Sequence, residues 1–133
     1  MTHDFSDIRA SAEARFGEAC VPRDGNAFSL VLDGGTVSFA ESSGNPAMTV
    51  VRARVTDLGA VARKGGLALA ALEGNFFWSG TNGATLSVGE DGALWLTERR
   101  PTEELAAPGG LESCLDEFVA TIAAWGERSD LHG

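Results

Sequence analysis

Ala70-Ala71-Leu72-Glu73-Gly74-Asn75-Phe76-Phe77-Trp78-Ser79-Gly80-Thr81-Asn82-Gly83-Ala84-Thr85-Leu86 runs an apolar helical end into three consecutive aromatics, a glycine turn and a new strand. Water penalises exposed apolar area by about 25 cal/mol per Å², so a run this greasy in a small chain points to a core and a self-association surface. It carries no catalytic or metal-binding pattern, and it directs the reading toward binding rather than turnover.

Upstream of that stretch, Leu69, Leu72 and Phe76, with Ala70, Glu73 and Phe77, keep helical spacing, which predicts a helix over 67–77. Downstream, Ala84, Leu86 and Val88 alternate with Thr85 and Ser87. Gly89-Glu90-Asp91-Gly92 turns the chain, and Leu94 and Leu96 alternate with Trp95 and Thr97 in a returning strand over 93–99. Pro101 closes this hairpin, and 102–110 reads as a polar connector ending in Pro108-Gly109-Gly110. Leu111, Leu115, Phe118, Ile122 and Trp125 then recur at steps of three and four, the mark of an amphipathic helix.

Toward the N-terminus, Phe5, Ile8, Ala12 and Phe16 form one apolar stripe, and Val21-Pro22 closes off any helical continuation. Phe28, Leu30 and Leu32 alternate up to Asp33-Gly34-Gly35, and Val37 and Phe39 resume the alternation, so a hairpin is expected. A valine-rich strand follows over 48–55, with Arg52 and Arg54 on one face and Val51, Ala53 and Val55 on the other. The order α-β-β-β-α-β-β-α predicts an α+β fold, a twisted antiparallel sheet flanked by helices. A chain of 133 residues fits one domain over 1–133, with 127–133 expected as a flexible tail.

The net charge of −9 is uneven: residues 65–133 carry eleven acids against three bases. Such acidity disfavours nucleic acid and anionic membrane as partners. Cys20 and Cys114 stand 94 positions apart without metal-ligand companions, as buried thiols of a reducing compartment do. The opening Met1-Thr2-His3-Asp4-Phe5 lacks a signal-peptide pattern, and no apolar run approaches the ~20 residues of a membrane span, so a cytoplasmic location is expected. The two histidines stand at the termini, Lys64-Gly65-Gly66 lacks P-loop spacing, and the acidic pairs read as solvated carboxylates. No catalytic residue, metal site or cofactor is expected.

Asn75-Phe76-Phe77-Trp78-Ser79-Gly80-Thr81-Asn82-Gly83-Ala84-Thr85-Leu86, followed by Gly92-Ala93-Leu94-Trp95-Leu96 and an acidic Leu/Phe/Trp-striped last helix, resembles the class I chaperones of bacterial type III secretion, the Tir chaperone (CesT) family. The resemblance covers 67–125 well and 1–64 at the level of pattern. It implies a homodimeric cytoplasmic chaperone, not an enzyme, that binds the N-terminal region of a secreted effector in extended form and keeps it soluble and secretion-competent. Components of the secretion apparatus are further partners it implies. By the family's layout, Leu72, Phe76, Phe77, Trp78, Leu86 and Trp95 are expected at the dimer interface. Phe5, Ile8, Phe16, Phe28, Leu30, Val37 and Phe39 are expected to contact the effector. Two other readings stay open on the residues alone: a small ligand-binding or hydrolytic domain using Glu98 or Cys114, and a dimeric adaptor for a folded partner.

Overall fold

In the computed structural model, residues 4–23, 26–33, 35–42, 47–57, 64–75, 84–89 and 91–132 are described. Helix α1 (Phe5–Phe16) starts where Asp4 caps it. The Asp4 carboxylate accepts from the Asp7 amide while the Asp7 carboxylate accepts from the Asp4 amide, so two orphan donors are satisfied reciprocally. Gly17 ends the helix at φ +55°, and a 3₁₀ turn, Gly17–Ala19, leads into β1 (Cys20–Arg23).

The strands β2 (Ala27–Leu32), β3 (Gly35–Ser42) and β4 (Met48–Asp57) follow as an antiparallel meander. Helix α2 (Lys64–Gly74) precedes the hairpin of β5 (Thr85–Val88) and β6 (Ala93–Pro101). Two helices end the described chain, α3 (Thr102–Ala106) and α4 (Gly110–His132). Among the described residues the sheet has the order β1-β2-β3-β4-β6-β5, with every neighbouring pair antiparallel.

The two-residue period of a strand sorts the sheet into two faces. Phe28, Leu30, Val37, Phe39, Val51, Ala53, Leu86, Leu94 and Leu96 point to the helices and are buried. Phe5 meets Phe28 at 5.6 Å between ring centroids, and Phe28 stacks on Phe39 at 5.0 Å. From above, Ile8, Ala12, Leu105, Leu111, Leu115, Phe118, Ile122 and Trp125 complete one continuous core. The opposite face carries Ser29, Val31, Ser38, Arg52, Arg54, Trp95, Thr97 and Arg99, and none of the described helices packs on it.

The α+β class and the helix-flanked antiparallel sheet agree with the sequence expectation; three details differ. The segment 20–23 forms an extra edge strand, because proline, which lacks a ladder donor, is compatible with an edge position. The supposed connector after Pro101 contains α3, held down by Leu105 in the core. The middle helix begins at Lys64, earlier than expected, and its expected end at 76–77 lies outside the described residues. Helix α4 continues through Gly126 to His132.

Candidate partner-binding surfaces

Helix α2 turns two sides to two different environments. Leu67 and Ala71 are buried, and Gly74 lies so close to the Trp125 ring that an added Cβ would stand 2.5 Å from it. On the other side Leu69 is 58% exposed and Leu72 69%, while Val88 on β5 is 58% exposed. Leucines three apart share one helix face, so α2 presents a small apolar surface to solvent. Asn75, just after the helix, fixes its end to the sheet: the side-chain amide donates to the Leu86 carbonyl at 2.9 Å, and the Leu86 amide donates back to Asn75 Oδ1 at 2.8 Å. The amide thereby occupies both hydrogen-bonding groups of Leu86 on the β5 edge, in the way a neighbouring strand would.

A second surface is the groove between the end of α1, the end of β2 and the middle of α4. It encloses about 460 Å³ and is lined by Arg15, Phe16, Leu32, Glu112, Leu115, Asp116, Val119 and Ala120. Its floor is apolar and its rim charged, with Arg15 Nε 3.4 Å from Glu112 Oε1. Both partners of that pair are substantially solvated, so it shapes the rim more than it stabilises the fold.

Between β6, α3 and α4 sits a polar knot. Arg100 points inward, with Nε 3.0 Å from Glu98 and Nη1 3.8 Å from Glu104, and it donates to Glu117. Burial works against the guanidinium's charge, yet the hydrogen bonds it donates to Glu117 and Glu98 more than offset it and strengthen its protonation. Burial raises Glu98 above the ordinary glutamate range, with Arg100 opposing. The Cys114 thiol beside them is pushed up to about 12, chiefly by burial, so it stays protonated and unreactive at neutral pH. Thr49 and Thr102 share a hydrogen bond at 2.9 Å in the same buried layer. The knot joins α3 and α4 to the sheet as a structural device, and among the described residues no group of His, Cys, Asp and Glu could hold a metal ion.

The side chains expected from the sequence fall into three groups. Phe5, Ile8, Phe28, Leu30, Val37 and Phe39, named for effector contact, are brought together in the interior, while Phe16 alone of that set reaches a surface groove. Among the dimer candidates Leu72 is exposed, Leu86 is 5% exposed beneath Asn75, and Trp95 is half-buried on the helix-free face of the sheet. Phe76, Phe77 and Trp78 lie outside the described residues. Sequence reasoning passed over Leu69 and Val88 as surface residues, although Leu69 stands one helical step from Leu72. It also passed over Leu32, Leu115 and Val119, whose sides of the groove come from elements far apart in the chain.

Comparison with known proteins decides what these surfaces belong to. The sequence model of the Tir chaperone protein (CesT) family matches residues 29–126. The chain belongs to that family. It is with that a chaperone of type III secretion effectors. The matched region reaches through the first hairpin, well upstream of the segment that carried the resemblance. The fold is similar to a chain in the crystal structure of the ExsC-ExsE complex, with a TM-score of 0.72, 16% identity, and coverage of 90% of this chain and 89% of that one. It is also similar to a chain in the structure of the HopA1-SchA chaperone-effector complex, with a TM-score of 0.62, 14% identity, and coverage of 93% and 98%. At such identities the likeness shows the fold alone. No curated protein matches the chain significantly. Among the described residues no helix is long and apolar enough to cross a membrane.

Proposed function

We propose that this chaperone acts as a homodimer in the bacterial cytoplasm, binding the N-terminal region of its effector in extended form and catalysing nothing. The observation that carries the reading is the family match over 29–126, on a chain whose fold resembles chains taken from chaperone-effector complexes. The surfaces divide the work. Leu69 and Leu72 on α2, with Val88 on β5, supply apolar area for a second subunit, and Phe76, Phe77 and Trp78 continue the same apolar sequence. The groove around Phe16, Leu32, Leu115 and Val119 accepts apolar side chains of an extended client. Phe5, Ile8, Phe28, Leu30, Val37 and Phe39 form the rigid base beneath it. Binding only the extended client withdraws it from folding and aggregation by mass action.

Co-expression with the product of a neighbouring effector gene tests this. A stable complex is expected, in which protease trims the client to one protected N-terminal segment. Failure of every encoded effector to co-purify would overturn the proposal, and full protease resistance of a bound client would favour an adaptor for a folded partner.

A further inference from the structure

The charge of this molecule is segregated by the pleat of its sheet. The chain as a whole is strongly acidic, yet the helix-free face gathers Arg23, Arg52, Arg54 and Arg99, because each falls at an outward position of β1, β4 or β6. Arg54 is already engaged, by Asp91 at 3.7 Å and Asp57 at 4.0 Å. The other three have no carboxylate partner among the described residues.

Two of these cations, Arg23 and Arg52, are joined by a line of hydroxyls. Strand pairing places Ser29 opposite Ser38 and Ser38 opposite Arg52, in a single row across β2, β3 and β4. Arg23 leans over that row, with Nε 3.0 Å from Ser29 Oγ, and the two serine hydroxyls lie 2.8 Å apart. Arg99 stands diagonally across from Arg52, since Val50 faces Arg99 and Arg52 faces Thr97. Arg52 also lies over the Trp95 ring, 5.8 Å from its centroid, and the Trp95 indole is fixed by donating to Asp91 at 3.1 Å. The row from Arg23 to Arg99 runs over Ala27, Ala40 and Val50, so the side chains between these two guanidiniums are short and uncharged.

We propose that this face is a docking surface for an acidic, extended polypeptide segment, held by carboxylate contacts to Arg23, Arg52 and Arg99. Charge complementarity selects the occupant. Guanidinium forks suit carboxylates, and the three stand on strands about 4.8 Å apart, so β1 to β4 spans roughly 14 Å. An extended chain at about 3.3 Å per residue covers that distance in about four residues, which matches acidic side chains spaced a few positions apart. A nucleic acid presents a far denser row of charge to a molecule of net charge −9, and the general field repels it. The surface is separate from the helical groove and from the exposed side of α2, so, resting on the reading of this chain as an effector chaperone, it offers a site for a second, acidic stretch of the same client.

The test is a titration of the full-length protein with a labelled peptide of alternating Glu and Ser, followed by fluorescence anisotropy at about 0.15 M salt. Saturable binding is expected, with no binding of the Lys/Ser peptide to the same site. The double variant R52T/R99T should weaken it about tenfold or more while circular dichroism stays unchanged. Absence of acidic-peptide binding, equal binding by R52T/R99T, or tighter capture of a single-stranded oligonucleotide would each overturn the inference. Effector co-purification reads the chaperone function separately, so either result can fail without the other.

Discussion

Arg99 and Arg100 are adjacent in sequence and live in different media. Strand β6 turns Arg99 to solvent and Arg100 among three glutamates, a distinction set by parity. The cost of breaking a buried ion pair falls on the charges left behind. Arg100→Ala should therefore lower unfolding stability by roughly 3 kcal/mol in urea denaturation, and a loss below about 1 kcal/mol would show that the knot is dispensable. Glu98 adds a pH dependence whose sign follows from its raised pKa. As pH climbs past the ordinary glutamate value of about 4.3 the unfolded chain ionises first, so the folded state loses stability until the folded group has ionised too. Glu98→Gln should thus compare more favourably with the wild type at pH 7 than at pH 4. A stability difference that stays flat or moves the other way would refute that assignment. Neither role could be read from the sequence, where Arg99-Arg100 is a basic dipeptide and Glu98 a lone carboxylate, because both depend on residues of α3 and α4 arriving from above.

At the scale of elements, periodicity made the long pieces legible. The stripes Phe5 to Phe16 and Leu111 to Trp125, and the alternations around Phe28, Val51 and Leu94, all report one face toward one core. Short pieces were not legible, since β1 and α3 are too brief for a period to emerge and are held by tertiary contacts instead. The same holds for Gly74. The partner that needs a glycine there, the Trp125 ring, comes from α4, far along the chain. Alanine there gains helix propensity of about 1 kcal/mol but drives a methyl into a fully buried indole. Gly74→Ala should destabilise by about 1–3 kcal/mol net, and a thermal melt unchanged or raised would mean that α2 moves freely away from α4.

For the whole molecule, the question is which apolar surface the fold leaves over. Six of the seven side chains expected to greet the effector were consumed by the core, because a chain this short needs nearly every large apolar residue to close a helix-covered sheet. Among the described residues, what remains outside is Leu69 and Leu72 on α2, Val88 on β5 and, on the helix-free face of the sheet, Val31 of β2. Leu86, one of the expected contact residues, is unsuitable as a probe of self-association, since a charge placed there would disrupt the core before it reached any neighbour. Leu69→Glu with Leu72→Glu is the cleaner experiment. Both side chains are already largely solvated, so the single subunit should keep its fold, whereas a dimer that buries them would have to desolvate two carboxylates on each side. Sedimentation equilibrium should show dimer for the parent and monomer for the double variant, with matching circular dichroism spectra. A parent that is monomeric at high concentration, or a variant that dimerises equally well, would place the subunit contact elsewhere and leave the apolar side of α2 free for the client.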